Sequence, residues 1–482
     1  MGLLLLGLGL RLLDLTDQPL DFHPTRQLRG AIIARSLYYQ LEPGIDPVDR
    51  QQALANTRAV GQYEPPLLEA LVALTYRAVG GEYLWIANIY SALLWLIGGI
   101  FLFDLARRMT SPPGAVLALG YYLILPFAVQ ASRAFQPDPA MVMWIILACY
   151  ALYRWSEAPS WKWALLAGLF GGIAALTKIM ALFVLAAVAV VVVLTTLGVR
   201  RFWRSPQVWV MALLILLPPA AYYLGSQGYA SDYLEDRTVT FGRLLLDPGF
   251  YVRWISLAQD LVGLAAILLG LVGVVISRPR SRVFLAGMWV GYLAYGLFFN
   301  YYMYTHSYYH LQLVPVIGLS LAPLGELLYE RIRQQPKAWQ VVSGGVILVI
   351  VLYLVTLSVV ERRVADYRQE PAYWQEIAAA LPTDGRIIAL AQDYGLRLMY
   401  YGKHNISLWP PRGERQLSAL RGQNKAFADY FANKTEGKDY FLITAFKQLE
   451  DQPDLESYLK ENYLLMAEGS GYLLYDLKNP LD

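Results

Sequence analysis

The sequence predicts a mainly α-helical, polytopic membrane protein of about eleven transmembrane helices with a small C-terminal extracytoplasmic α/β domain. The chain is 56% hydrophobic and only 16% charged, whereas soluble domains average about 45–50% apolar and about 25% charged residues. The charges are also unevenly spread, because residues 361–482 hold 33 of the 77 Lys, Arg, Asp and Glu residues. The chain therefore divides into an apolar transmembrane domain, 1–360, and a water-soluble tail, 361–482.

The same proportions exclude several classes of protein. Such high hydrophobicity excludes an intrinsically disordered or fibrous chain. The net charge of +3 is small and mixed, so nucleic acid is not expected as a partner. The single cysteine, Cys149, excludes an intramolecular disulfide and a metal site built from thiolates alone.

Apolar segments close to the roughly 20 residues needed to cross a bilayer recur along the first domain. A shorter apolar run, 2–13, lacks the basic start and the small-residue cleavage site of a signal peptide, so we expect it to begin a first span that extends towards Leu20. The other predicted spans cover residues 84–106, 113–130, 139–155, 163–177, 179–198, 207–225, 259–277, 283–300, 311–328 and 339–360.

Basic residues cluster in every second loop between these spans, which predicts their orientation. By the positive-inside rule the basic loops face the cytoplasm, so the alternate loops and the tail are expected outside the inner membrane of the cell. The basic clusters are Arg107–Arg108, Arg154 with Lys162, Arg200 with Arg201 and Arg204, Arg278 with Arg280 and Arg282, and Arg331 with Arg333 and Lys337.

The first outer loop and the tail carry further predicted structure. Loop 15–83 is too long for a simple connector, and its apolar-sided stretches at 32–39 and 64–78 suit helices lying on the membrane surface. The tail alternates two patterns that together predict an α/β domain. Its strand-like runs are 386–391, 439–446 and 471–477, and its helix-like stretches are 371–380 and 453–462.

Ionisable residues of the first outer loop form one candidate group. Asp21 follows the first span, with His23 and Arg26 beside it. A carboxylate in that position suits a base or a ligand, and the alternative is a solvated acid ahead of a helix. Glu64, which precedes two prolines of the same loop, is a second candidate, although the helix dipole alone would favour an acid there.

A second candidate group lies where later spans meet the outer surface. Arg133 and Asp138 occupy a short outer loop, where Asp138 either caps the next helix or faces Asp21 across a shared cavity. Lys178 interrupts an apolar stretch at the outer end of a span. It is expected either to reach the interface along its own stem or to bind an anionic head group.

A tyrosine-rich segment contains the third group. His306 and His310 are four residues apart and lie beside Tyr309 and other tyrosines. This spacing suits a metal if the segment is helical. The alternative is an aromatic belt at the membrane interface.

Four segments, taken in order, resemble the membrane glycosyltransferases of the GT-C fold, in the protein-mannosyltransferase and aminoarabinose-transferase branch (family 39 and its relatives). The resemblance covers roughly residues 1–330, and the tail is only generally similar to the outer domains of such enzymes. The segments are EPPLLEALVAL (64–74), SRAFQPDPAMV (132–142), GIAALTKIMAL (172–182) and HSYYHLQLVPVIGL (306–319).

The resemblance implies a polyprenyl-phosphate sugar as donor and inverting transfer at the outer face to a lipid, protein or glycan acceptor. It places the catalytic carboxylate at Asp21, a second acid at Asp138 and a donor-phosphate contact at Lys178. The family often has an acidic pair in its first motif, but Phe22 follows Asp21 here. The sequence therefore does not establish a need for a cofactor. Binding of a divalent metal ion by Asp21, Asp138, His306 or His310 is left as an alternative.

The chemistry can also be derived from the residues. A phosphate monoester has a second pKa of about 6 and leaves without a general acid, so one carboxylate is enough. Positive charge must stabilise the phosphate, and Lys178, Arg133 and Arg26 are the cations expected on the outer side. The remaining candidates for substrate contact are His23, Glu64, Tyr309, His306 and His310.

Two other functions remain as alternatives. One is a glycan polymerase or ligase that uses a diphosphate-linked oligosaccharide. The other is a flippase or transporter of lipid-linked sugars, which should show repeated halves or charges at the middle of the membrane. The sequence shows neither feature.

Overall fold

The computed structural model describes residues 1–225, 239–382, 384–420 and 426–481. The chain is mainly helical and carries a small C-terminal sheet, as predicted. It forms two compact units. The first comprises Met1–Thr16, Gln62–Leu68 and Trp85–Ala365, and the second comprises Asp17–Gly61, Glu69–Leu84 and Asp366–Asp482. Most of the first outer loop therefore belongs to the same unit as the tail.

The α-helices follow one another with short connections through the described residues. Those before the gap at 226–238 are α1 (Gly2–Leu12), α2 (Pro24–Leu41), α3 (Pro47–Val60), α4 (Leu67–Val79), α5 (Trp85–Met109), α6 (Pro112–Ile124), α7 (Pro126–Ala131), α8 (Asp138–Glu157), α9 (Trp161–Thr177), α10 (Ala181–Leu197) and α11 (Pro206–Gly225). Those after it are α12 (Pro248–Val262), α13 (Leu264–Ile276), α14 (Pro279–Phe298), α15 (Asn300–Met303), α16 (Leu313–Arg333), α17 (Lys337–Arg363), α18 (Glu370–Ala380), α19 (Leu396–Tyr401), α20 (Arg412–Leu420), α21 (Phe427–Thr435), α22 (Phe446–Glu450) and α23 (Pro453–Asn462).

Four described helical segments are long and apolar enough to cross a membrane: Trp85–Met109, Pro206–Gly225, Ser307–Arg333 and Lys337–Arg363. The bent pair α12 and α13, at 93° to each other, would make a fifth. The predicted eleven spans are therefore not confirmed. One reason is that proline and glycine break the apolar segments. The segment 113–130, for example, divides into α6 and α7 before Pro126.

Small residues bring the helices of the first unit close together. Gly168 and Gly172 on α9 face α11, and a Cβ atom added at Gly172 would lie 2.2 Å from the carbonyl oxygen of Leu214. Small residues four positions apart allow such backbone contact between membrane helices. This contact fixes α9, whose C-terminus carries Lys178.

A buried arginine anchors α1 in the first unit. Arg11 is fully buried and donates hydrogen bonds to Ser132 Oγ (2.7 Å), Leu123 O (3.0 Å) and Ala128 O (3.4 Å). Leu123 lies in the last turn of α6, where carbonyl groups lack a partner within the helix, whereas Ala128 O also accepts a hydrogen bond from Ser132 N. The N-terminal apolar run is therefore a packed part of this unit. Its helix ends at Leu12 and does not extend towards Leu20 as predicted.

The tail contains one five-stranded sheet in the order β2–β1–β3–β5–β4. β1 pairs in parallel with β2 and β3, whereas β5 is antiparallel to β3 and β4. Trp409, Phe431 and Phe441 lie in its buried core. The strands are β1 (Ile387–Leu390), β2 (Ser407–Leu408), β3 (Tyr440–Ile443), β4 (Tyr463–Gly469) and β5 (Tyr472–Pro480).

Candidate functional site

Asp138 begins helix α8, and its carboxylate is directed to a partner inside the protein. The side chain is 1% exposed, and Oδ1 accepts a hydrogen bond of 2.8 Å from Lys178 Nζ. The second oxygen, Oδ2, has no hydrogen-bond partner among the described residues. Asp138 is therefore one half of a buried ion pair that keeps an unused acceptor.

Lys178 lies in the break between α9 and α10. Its backbone is extended (φ −159°, ψ 120°), which ends α9 at the preceding residue. The side chain is 2% exposed, so it does not reach water along its stem as one interpretation of the sequence expected. Removing an ammonium group from water costs several kcal/mol, and Asp138 offsets that cost.

Aromatic rings surround the ammonium group. Lys178 Nζ lies 4.9 Å from the ring centroid of Tyr308 and 5.1 Å from that of Tyr309, within the range of cation–π attraction. Tyr309 stacks on Tyr302 and Tyr295 at centroid distances of 5.2 and 5.9 Å. These rings are buried, so this part of the tyrosine-rich segment is a wall of the ion-pair site and not an exposed belt.

The paired histidines do not form the metal site that a helix would allow. His306 has an extended backbone, and the residues after it, Ser307–His310, form one 3-10 turn. His310 is fully buried and bonds Met303 O through Nε2 and Tyr292 OH through Nδ1, both at 2.8 Å. Within the described ranges, no group of three or more His, Cys, Asp or Glu side chains is placed to hold a metal ion.

Arg133 has a structural role beside this site. It is 3% exposed and donates hydrogen bonds to Leu13 O at 2.6 Å and Asp14 O at 3.3 Å. These carbonyl groups follow the end of α1, so Arg133 fixes the turn at which the chain leaves the first unit towards Asp21.

The remaining candidates lie in or near the first outer loop. Asp21, His23 and Arg26 belong to the second unit, whereas Glu64 belongs to the first. Asp21 is half-buried and lies close enough to Tyr367 for its charge, after burial itself, to raise the pKa of that phenol. His23 precedes α2 with a left-handed backbone (φ 45°), which is uncommon for residues other than glycine. The predicted cavity shared by Asp21 and Asp138 remains a prediction.

Two buried glutamines were not among the predicted site residues. Gln136 precedes Asp138 by two positions, and Gln312 follows Tyr309 by three. Both side-chain amides are buried, and that of Gln136 has no hydrogen-bond partner among the described residues. Each unpaired buried group costs about 1–3 kcal/mol, which folded proteins usually avoid. In the sequence, their only signal is a polar residue inside an apolar stretch.

One protein-family model matches part of the chain. Residues 63–223 match the family model described as dolichyl-phosphate-mannose-protein mannosyltransferase. This segment contains Arg133, Asp138 and Lys178, but it ends before the tyrosine-rich segment. No curated protein sequence gives a significant match to the chain.

Solved structures match over nearly the whole chain. ArnT from Cupriavidus metallidurans bound to undecaprenyl phosphate is 16% identical with a TM-score of 0.54, and the match covers 98% of this chain and 97% of ArnT. ArnT in the apo state is 15% identical with a TM-score of 0.56, over 94% and 93% of the two chains. The archaeal oligosaccharyltransferase AglB from Archaeoglobus fulgidus, in complex with an inhibitory peptide and a dolichol-phosphate, is 13% identical with a TM-score of 0.54, over 98% and 74%. The chain is thus an integral membrane protein with the GT-C fold, and its resemblance to the mannosyltransferase and aminoarabinose-transferase branch of membrane glycosyltransferases is confirmed.

Proposed function

We propose that this protein is an inverting glycosyltransferase that moves a monosaccharide from a polyprenyl-phosphate carrier to an acceptor hydroxyl at the outer membrane face. The observation that carries the proposal is the buried Lys178–Asp138 pair under the tyrosine wall. This pair lies in the segment that matches the mannosyltransferase family model. The GT-C fold supports the same function, because structures with this fold include complexes with undecaprenyl phosphate and dolichol-phosphate.

In the proposed reaction Asp21 is the general base. The acceptor oxygen attacks C1 of the sugar, the bond between C1 and the phosphate oxygen breaks, and Asp21 takes the proton of the acceptor hydroxyl. The polyprenyl phosphate leaves as an anion and needs no general acid, since the second pKa of a phosphate monoester is about 6. One carboxylate is therefore sufficient, unlike in inverting hydrolases.

Lys178 is proposed to contact the donor phosphate, together with Arg26 in the first turn of α2. Asp138 stabilises the charged ammonium group in the absence of donor, and its unused Oδ2 would accept a hydrogen bond from a substrate hydroxyl. Arg133 would act by holding the turn after α1. Tyr309, with its neighbouring rings, offers the apolar face that a sugar ring packs against.

The test is transfer by the purified full-length protein. A polyprenyl-phosphate monosaccharide is supplied, and the release of polyprenyl phosphate is measured with and without acceptors of each class. Asp21→Asn should lower turnover by about 100- to 10,000-fold, the usual contribution of a general base, while donor binding stays unchanged. Asp46→Asn is the matched control, because Asp46 is exposed in the same loop and asparagine still caps α3.

Near-normal turnover by Asp21→Asn would exclude Asp21 as the base. Equal losses of turnover in Asp21→Asn and Asp46→Asn would mean that the loop tolerates no change of charge. That result would also exclude the assignment of Asp21 as the general base. An unchanged donor requirement in Lys178→Met, provided that the variant is folded, would remove Lys178 from the phosphate contact.

A second candidate is transfer of an oligosaccharide from a diphosphate carrier. It is favoured by the match to the oligosaccharyltransferase AglB, which covers 98% of this chain. Supplying a polyprenyl-diphosphate oligosaccharide distinguishes the two: if only that donor supports transfer, the monosaccharide proposal is wrong.

A further inference from the structure

The loops predicted to face the cytoplasm converge on a cavity of about 350 Å³ in the first unit. Three helix ends form it: the C-termini of α8 and α10 and the N-terminus of α14. Its volume lies within the range of ordinary ligand pockets, about 300–1,000 Å³. The cavity is unrelated to the outer candidate site, since it lies at the opposite ends of the helices that begin at Asp138 and follow Lys178.

The polar lining of the cavity favours an anion. It consists of Arg280 and the hydroxyl groups of Ser156, Thr195 and Thr196. The hydroxyls of Ser156 and Thr195 donate to the carbonyl oxygens of Tyr153 and Val191, so Arg280 and Thr196 are the donors left for a ligand. Arg280 is exposed and makes no hydrogen bond or ion pair within the described part of the chain. A guanidinium group donates up to five hydrogen bonds, and a phosphodiester is the ligand that such a group binds well.

Neighbouring carboxylates do not cancel this charge. Glu157, next to Ser156, is paired with Arg154 at 3.0 Å and lies 3.7 Å from Arg108. Glu326 lies 3.5 Å from Arg278. Both acids are compensated by other arginines, so Arg280 keeps its full charge for a ligand.

The rest of the lining is apolar and rigid. Val192, Val283 and Phe284 form this part of the wall. Phe284 packs edge-on against Tyr153 with a centroid distance of 5.3 Å. Further along the same two helices, a Cβ atom at Gly291 would lie 2.6 Å from the backbone of Val184, so α10 and α14 are in close contact. These contacts hold together the helices that line the cavity.

Surrounding residues indicate a lipid and not a soluble anion. The turn after α10 contains Arg200, Arg201 and Arg204 with Trp203, which is 61% exposed. Clustered arginines with tryptophan are typical of a membrane interface. The helices that form the cavity also carry exposed valines, Val190 and Val290, each 56% exposed, which suit contact with acyl chains.

We propose that this cavity binds the head group of an anionic phospholipid. The phosphodiester would accept hydrogen bonds from Arg280 and from the Thr196 hydroxyl, and the acyl chains would follow the apolar surface of α10 and α14. The inference rests on the membrane-spanning character of the first unit and does not depend on the transfer reaction.

The experiment is a titration of the purified full-length protein in neutral detergent with dioleoylphosphatidylglycerol, followed through the melting temperature. A solution of 0.5 M NaCl reduces the Debye length to below about 5 Å and suppresses general surface attraction. Dioleoylphosphatidylcholine and inorganic phosphate are titrated in parallel. We expect saturable stabilisation by phosphatidylglycerol and at least about tenfold weaker apparent binding of the other two.

Two variants locate the site. Arg280→Gln should weaken phosphatidylglycerol binding by about tenfold, the loss expected for one charge-assisted hydrogen bond. Thr196→Phe, which fills the cavity, should abolish saturation. Arg200→Gln removes one arginine from the neighbouring turn, outside the cavity lining, and should change affinity by less than about twofold at this salt concentration.

Equal weakening by Arg280→Gln and Arg200→Gln would show surface attraction only and would overturn the proposal. Equal binding of phosphatidylcholine would also overturn it, because the head-group charge would then be irrelevant. Stabilisation by inorganic phosphate as strong as by the lipid would instead identify a small-anion site.

Discussion

The Lys178–Asp138 pair allows a quantitative test of the candidate site through a double-mutant cycle. The variants are Lys178→Met, Asp138→Asn and the double variant, and the measured quantity is the free energy of unfolding. Each single change removes one partner from a pair whose side chains are 2% and 1% exposed. In Lys178→Met the Asp138 carboxylate stays buried without its cation. In Asp138→Asn the Lys178 ammonium group stays buried beside a neutral amide.

The expected magnitude follows from the geometry. Two unit charges 2.8 Å apart attract each other by about 6 kcal/mol at an effective dielectric constant of about 20. Desolvation of both groups offsets much of that attraction. Breaking a buried pair from one side nevertheless costs about 3–5 kcal/mol, whereas replacing both charges is often nearly neutral. Lys178→Met should therefore be clearly less stable than the double variant.

Unfolding by SDS in mixed micelles provides the assay. The pair Lys403–Asp49, at 3.2 Å with side chains 50% and 43% exposed, is the matched control. Its own cycle should give no more than about 1 kcal/mol of coupling. If the double variant Lys178→Met/Asp138→Asn is no more stable than Lys178→Met alone, the pair is not a buried, mutually compensated unit, and the reasoning fails.

Three further predictions concern other parts of the chain. Burial lowers the pKa of His404 below its ordinary 6.5, so on acidification the unfolded chain binds a proton before the folded protein does. The stabilisation present above pH 6.5 should therefore be lost as the pH falls through the lowered folded pKa. Melting curves at pH 7.5 and 5.5 should show this loss in the parent protein and not in His404→Gln. Arg35→Met should cost about 1.5–3 kcal/mol by removing the charge-assisted hydrogen bond to Glu82 and should speed limited proteolysis of the tail. Gly172→Ala should lower the melting temperature, since its Cβ would lie 2.2 Å from a carbonyl oxygen, at a cost of about 1–3 kcal/mol.

Each of these predictions has its own control. Arg35→Lys should not restore stability, because lysine cannot both pair with Glu82 and donate to the Tyr400 carbonyl in one planar group. Gly120→Ala, where nothing lies within 4 Å of the added Cβ, should leave the melting temperature unchanged or raise it. A pH response in His404→Gln equal to that of the parent protein would assign the effect to other groups.

Much of the tail could be predicted from its sequence. Short strand-like runs rich in apolar residues located β1, β3 and β5, and helix-like stretches located α18 and α23. Strand β4 was missed because YLLMAEG follows α23 directly and consists largely of helix-favouring residues. It also lies at the sheet edge, where Leu464 and Met466 are more than half exposed. Apolar side chains are therefore not confined to one buried face, and the sequence lacks the alternating pattern of a half-buried strand.

The candidate site was less predictable, for a physical reason. Charges such as Lys178 stand out in an apolar sequence, but hydropathy does not show which helix ends meet. Separate roles were therefore expected for Asp138 and Lys178, whose side chains lie 2.8 Å apart. Arg11 escaped notice because its partners are mainly backbone carbonyl groups, which no residue pattern reveals.

The second unit joins the first outer loop to the tail through a few polar contacts. Arg35 lies 2.8 Å from Glu82 and donates a hydrogen bond of 2.6 Å to Tyr400 O. Burial alone would lower the pKa of Arg35, but the ring of Tyr400 and the charge of Glu82 raise it above its ordinary value. Asp17 accepts a hydrogen bond from Tyr367 N.

These contacts impose a waiting time on the newly made chain. Arg35 and its carbonyl partner are separated by 365 positions. A ribosome adding about 5–20 residues per second needs roughly 20 to 70 s to cover that interval. During this time the loop helices have left the translation machinery, but the surface they fold against does not yet exist. The contacts of α2 with the tail can therefore form only once the last quarter of the polypeptide has been made.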